Sequence, residues 1–271
     1  MRTRVVHQLK IQFNLLLVIS FLWLIGLTVV VGAPLTVVNS GFEDISDESP
    51  DNEFTFGALN GWALYDPNGV TGIGEGPSFF IGTLTLTETA IPGVFDNFTA
   101  GAAEGQRVGI AFNFLGTDGD EYGLQQTLAE SLQANTQYTL AVQIGNIASA
   151  TAQNGSFFEL SGFPGYRVEL LAGDQVIAMD DNTLAGSIND GEFALSTLNF
   201  TTGSSHGQLG EALGIRLINL NVVDALHELS DLEVDFDDVQ LSAVVVPLPA
   251  VLPLMALFAG CLVLRTRRAE V

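Results

Sequence analysis

Between residues 34 and 246, apolar side chains recur at every second position in short runs. Arg107-Val-Gly-Ile-Ala-Phe-Asn-Phe114 alternates, as do Gln137–Ile144, Tyr166–Leu170, Phe193–Phe200 and Leu213–Leu220. Period-two alternation is the signature of strands with one buried face. Asn and Gly cluster between the runs, as turn chemistry requires. One stretch, Gln125–Leu132, reads either as a short helix or as a strand followed by a turn. About nine to eleven short strands with Gly-rich connections predict an all-β fold, an antiparallel β-sandwich of the jelly-roll kind. In the last run Leu232, Val234 and Phe236 share one parity while Val239 and Leu241 share the other. A strand changes parity only by inserting a residue, so a β-bulge is expected at Asp237-Asp238.

The two ends break this pattern. Ile11 to Val31 is a nearly unbroken apolar run behind Arg2, Arg4 and Lys10. It predicts an export signal over residues 1–33, read either as a peptide cleaved before Pro34 or as an uncleaved signal anchor. At the other end, Pro247, Pro249 and Pro253 hold off any helix until an apolar stretch at about 252–264, followed by Arg265, Arg267 and Arg268. A short transmembrane helix with its basic flank in the cytoplasm is expected there. The chain thus divides into a signal (1–33), a sandwich domain (34–242) and a C-terminal segment (243–271).

Charge sharpens the picture. Residues 34–246 contain three arginines, no lysine and thirty acids, a net charge of −27 within a chain of −22. Such a body repels nucleic-acid phosphates, so a nucleic-acid partner is excluded. The single cysteine, Cys261, excludes a disulfide-stapled scaffold.

Two sets of motifs resemble known families. Val246-Pro247-Leu248-Pro249-Ala250, a short apolar helix and an Arg cluster resemble the VPLPA variant of the PEP-CTERM sorting signal. That resemblance implies an exosortase partner, transient membrane anchoring, and export across the inner membrane of a Gram-negative bacterium to the surface or medium. In the body, Asn39-Ser-Gly-Phe-Glu43, Gly61-Trp62 and Asp235-Phe-Asp-Asp-Val-Gln-Leu241 resemble galactose-binding-like jelly rolls, among them carbohydrate-binding modules of families four, six and twenty-two. In those folds the first and last strands lie together and matching positions hold a structural Ca2+, which implies Glu43, Asp237 and Asp238 as ligands. Calcium takes hard oxygens of this kind.

Sugar recognition needs exposed rings. The segment Ser149–Tyr166 supplies Phe157, Phe158, Phe163 and Tyr166 among small polar residues, either as a ligand platform or as a hydrophobic flap over one sheet. Trp62 reads as core. No catalytic residue is expected: His206 and His227 lie outside any nucleophile motif, and no acid–acid pair stands out. The expected function is a non-enzymatic exported protein that binds or organises extracellular polysaccharide. A purely structural acidic matrix protein and a surface glycoside hydrolase are the alternatives.

Overall fold

The computed structural model describes residues 32–76, 78–114 and 119–247. The expected signal and transmembrane helices, with Leu248, Pro249 and Ala250, lie outside them. Among the described residues the regular structure is fourteen strands: β1 (Ala33–Leu35), β2 (Phe54–Phe56), β3 (Ala63–Tyr65), β4 (Phe79–Thr85), β5 (Arg107–Asn113), β6 (Tyr122–Ser131) and β7 (Thr136–Asn146) in the first half. The second half holds β8 (Ala150–Thr151), β9 (Phe157–Phe158), β10 (Tyr166–Ala172), β11 (Gln175–Asp181), β12 (Glu192–Thr201), β13 (Ala212–Asn219) and β14 (Leu232–Val245). Every alternating run named above is a strand, and the ambiguous stretch after Gln125 is strand too, inside β6.

All pairings between the named strands are antiparallel. One sheet runs β12-β7-β14-β5-β4-β2, with β1 also on β14; the other runs β11-β10-β13-β6-β3. The strands β8 and β9 form a separate hairpin. The first and last strands do lie together, Leu35 opposite Leu241. The pairing of β14 with β7 shifts register between Asp237 and Gln240, and Asp238 takes φ 47°. The parity change therefore resolves as the expected bulge, and Val234, Phe236, Val239 and Leu241 all reach the core between the sheets.

That core also takes Trp62, its indole stacked on Phe42 at 5.3 Å and its Nε1 donating to the Asn39 carbonyl at 3.0 Å. The Asn-x-Gly-Phe and Gly-Trp motifs are thus packing devices. A buried carboxylate ties the two sheets at one edge: Asp180 Oδ2 on β11 accepts from Tyr166 Oη at 2.6 Å and from Ser196 Oγ of β12 at 2.5 Å.

The seven-stranded sheet departs from a simple sandwich on its outer face. On β5 the bulky residues Val108, Ile110 and Phe112 point away from the inter-sheet core, into a second apolar cluster with Phe80, Leu84, Phe98, Ile147 and Leu160. Every residue of β5 is buried, so both its faces are covered. The cover includes the β8–β9 hairpin, whose Phe158 ring meets Phe112 edge-on at 5.8 Å.

Asp180→Ala removes two charge-assisted hydrogen bonds and takes the acceptor from two buried hydroxyl protons, and it should lower unfolding free energy by about 2–4 kcal/mol. Chemical denaturation checks this; an unchanged midpoint contradicts the clasp.

Candidate active site

On β14 Leu232, Val234 and Phe236 face the core, so Glu233, Asp235 and Asp237 project together onto the outer face. Cross-strand register sets their neighbours: Glu233 stands opposite Phe112 and Asp235 opposite Ile110, with Phe80 of β4 next in the Phe112 row. Three carboxyl groups are therefore embedded in the second apolar cluster. Asp235 and Asp237 are fully buried and Glu233 nearly so.

Gly145 of β7 faces Asp235, and a Cβ there would come within 2.7 Å of Phe193 and 2.9 Å of the Asp235 side chain. Its absence lets Phe193 stack on Phe98 at 4.3 Å and close that side of the acid row. Removal from water disfavours the ionised form. Burial, then the charge of Asp231, pushes Glu233 up to about 8. Burial, then the Glu233 charge, carries Asp235 well above the ordinary carboxylate range.

Glu233 borders a cavity of about 330 Å³ whose largely apolar wall carries six phenylalanines. Five rings close a girdle around it: Phe54 to Phe56 at 6.2 Å, Phe56 to Phe80 at 4.8 Å, Phe80 to Phe112 at 4.9 Å, Phe112 to Phe158 at 5.8 Å, and Phe158 back to Phe54 at 6.3 Å. No Lys, Arg or His lines it among the described residues. A neutral carboxyl in such a pocket is a proton donor at neutral pH, with ring faces nearby to stabilise positive charge as it develops.

The residues expected from sequence fall in different places. Phe158 is on the cavity wall, whereas Phe157 is largely exposed and Phe163 packs against the inter-sheet core. Tyr166 is fully buried with its hydroxyl committed to Asp180, and burial pushes that phenol up to about 12. Of the segment's four rings, Phe158 lines the cavity, and the hairpin that carries it covers one sheet. Glu43 and Asp237 approach the same backbone stretch: Glu43 Oε1 accepts from the Gln106 and Arg107 amides, each at 2.7 Å, and Asp237 Oδ2 from Glu104 N at 2.7 Å. Asp238 turns away, its Oδ1 accepting from Gln240 Nε2 at 2.7 Å. Among the described residues no three acid, His or Cys side chains are gathered into a metal-holding group. Val246 and Pro247 trail from β14, exposed.

Sequence reasoning missed Glu233 and Asp235. Their signal was visible as three acids at alternate positions of one strand, but acids on one strand face read as a solvated face unless something covers them.

Comparison with known proteins supplies the reaction class. The profile of a family described as HpiC1-like, HpiC1 cyclase, matches residues 33–242. An apo cyclase from Fischerella sp. is 34% identical with a TM-score of 0.66, over 80% of this chain and 98% of its own. The Stig cyclase Fisc from Fischerella sp. TAU, in complex with (3Z)-3-(1-methyl-2-pyrrolidinylidene)-3H-indole, matches at the same identity, score and share of this chain, over 100% of its own. So does a cyclase from Fischerella sp. TAU in complex with 4-(1H-indol-3-yl)butan-2-one. A search of curated proteins finds no match.

These matches correct the sequence reading at several points. The sorting-protein and carbohydrate-module resemblances give way to a cyclase family spanning the whole sandwich. With them go the polysaccharide-binding function, the exosortase, polysaccharide and membrane partners, and the expectation of no enzyme. The physical reason is that the motifs report the framework, which modules with and without chemistry share.

For an acid held protonated by burial, the folded state keeps a proton that the unfolded state has lost. Stability therefore falls as pH rises from about 4.5 to about 8, by roughly 1.4 kcal/mol per pH unit for each such group. Glu233→Gln should flatten this slope by about one proton's worth, measured by denaturant titration across that range. An unaltered slope contradicts a protonated Glu233.

Proposed function

We infer the function from one premise: the chain belongs to the HpiC1-like cyclase family. It is an enzyme, and we propose that it closes a ring within an indole-bearing substrate by acid catalysis. The observation that carries this reading is the Glu233 carboxyl, held up to about 8 inside the phenylalanine girdle. Two cyclase complexes at 34% identity hold indole compounds, and a flat heteroaromatic of that size suits a 330 Å³ cavity edged by phenylalanines.

In this mechanism Glu233 gives its proton to a π bond of the substrate side chain. The cation so formed is attacked by the electron-rich indole, making the new carbon–carbon bond. The ring then loses a proton, which returns to the Glu233 carboxylate, so the product is an isomer of the substrate and no redox partner is needed. Phe80, Phe112 and Phe158 exclude water, which would otherwise capture the cation, and offer π faces to it.

We also propose a structural Ca2+ where the first and last strands meet, at Glu43 and Asp237. The donor chemistry suits it: a carboxylate already accepting backbone N–H groups keeps further lone pairs for a hard cation. Burial, with repulsion from Glu104 and Asp238, lifts Asp237 to about 7, and a divalent cation would relieve that charge. Such an ion would tie β14 to the Glu104–Arg107 backbone through Glu43 and Asp237.

For the rest of the chain we propose a jelly roll over 34–242 behind an export segment, residues 1–33. The reading is supported by the family match beginning at residue 33, just after the apolar run.

The test of the cyclase reading is Glu233→Gln, assayed on an indole with an unsaturated side chain. Turnover should fall at least about 100-fold, the scale of general acid catalysis, while 4-(1H-indol-3-yl)butan-2-one still binds. Wild-type turnover in the variant would overturn it. For calcium, a chelator should lower the melting temperature by the equivalent of about 2.7 kcal/mol if the ion had stood at a hundred times its dissociation constant; no shift refutes the site.

A further inference from the structure

The flap built by β8 and β9 is held in different ways at its two ends. It leaves β7 at Ile147 and crosses the outer face of the seven-stranded sheet, past β5, toward β4 and β2. At its base, backbone bonds fix both legs. Ala148 N donates to the Asn97 carbonyl at 3.1 Å, Asp231 N to the Glu159 carbonyl at 2.7 Å, and Val222 N to the Pro164 carbonyl at 3.1 Å. Among the described residues, no backbone–backbone hydrogen bond joins residues 150–158 to either sheet.

The tip is tied down through one residue. Gln153 N donates to Glu53 Oε1, just before β2, at 2.7 Å, and Gln153 Nε2 donates to Thr87 Oγ1, just after β4, at 3.2 Å. Residues 153–157 are exposed, and a Cβ added at Gly155 would meet nothing within 4 Å. On the inner side, Ala150, Ala152, Asn154, Phe158 and Leu160 line the cavity, opposite Phe80, Phe112 and Glu233 of the sheet. A segment fixed at one end, with few bonds at the other and little packing between, opens locally far more readily than the core does. Segments of this kind commonly gate the sites they cover.

We propose that the β8–β9 flap is a lid and Gln153 its latch: the tip swings off Glu53 and Thr87 to admit the substrate and re-forms both bonds over it. The lid rests on the cyclase reading for its ligand and adds how that ligand reaches Glu233. Gln153 acts only through the position of the flap and stays outside the chemistry.

Gln153 stands second in the turn closed by Gly155 N on the Ala152 carbonyl at 2.9 Å, a position that favours proline. Gln153→Pro therefore deletes both latch bonds and keeps the turn, whereas Gln153→Ala deletes only the bond to Thr87. The experiment is stopped-flow mixing of 4-(1H-indol-3-yl)butan-2-one with the full chain, followed by indole fluorescence. In wild type the observed rate should level off as ligand concentration rises, because opening limits it. That plateau should rise about tenfold or more in Gln153→Pro, and less in Gln153→Ala. Amide hydrogen exchange tests the lid without ligand: the Gln153 N–H should exchange at least about tenfold faster than the Asp231 N–H at the base. If the proline variant fails to fold, the alanine variant and the exchange comparison carry the test. A wild-type rate without a plateau, a plateau unmoved by loss of the latch, or Gln153 and Asp231 exchanging alike overturns the lid and leaves the cyclase reading standing. Wild type that binds no indole compound, with the exchange difference present, brings down the cyclase reading and spares the lid.

Discussion

Glu233, Asp235 and Asp237 project from one face of β14 while Leu232, Val234 and Phe236 fill the core from the other. Leaving three carboxyl groups dry is costly unless they stay neutral or find partners, and among the described residues no basic side chain on the cavity wall relieves them. Much of the architecture follows from keeping water off this row. β5 turns its bulky residues outward against it, Gly145 makes room for the Phe98–Phe193 stack above it, and the β8–β9 hairpin closes over it. The same cover that raises the proton affinity of Glu233 creates the aromatic cavity. Acid strength and substrate space thus have a common origin.

The fold was legible because alternation reports it directly. The runs from Arg107, Gln137, Tyr166, Phe193 and Leu213 are all strands, and the parity switch around Asp237 located the bulge. The core placement of Trp62 was readable for the same local reason. What alternation does not report is which face of a strand a later segment will cover. In Arg107–Phe114 the large residues fall on one parity and the small ones on the other, yet the large ones face the flap and the small ones the sandwich core. The acids at 233 and 235 stayed unnoticed for that reason, and the docking of Phe158 against Phe112 could not be read from the Ser149–Tyr166 segment. The likeness to carbohydrate-binding modules came from the Asn39–Glu43, Gly61-Trp62 and Asp235–Leu241 motifs, whose Phe42, Trp62 and Phe236 fill the core and carry no information about ligand.

The cavity combines a proton donor, a hydrocarbon-like wall and, beside Phe54, a carboxyl already pinned by the flap. A wall of phenylalanines gives a reacting cation π faces but few nucleophiles, which favours ring closure over capture by solvent. Because the flap contributes Phe158 and the amide that holds Glu53, loop sequence can vary the substrate while the acid row on β14 stays fixed. Binding segments carried on a rigid β scaffold commonly divide the work in this way.

The central claim is that Glu233 is a neutral acid at physiological pH, and carbon-13 NMR of glutamate-carboxyl-labelled protein reads it directly. With the Glu233 resonance assigned by its loss in Glu233→Gln, the signal should titrate with a midpoint of about 8. A midpoint in the ordinary carboxylate range, near 4.5, would mean that the girdle does not hold the proton and would contradict the account.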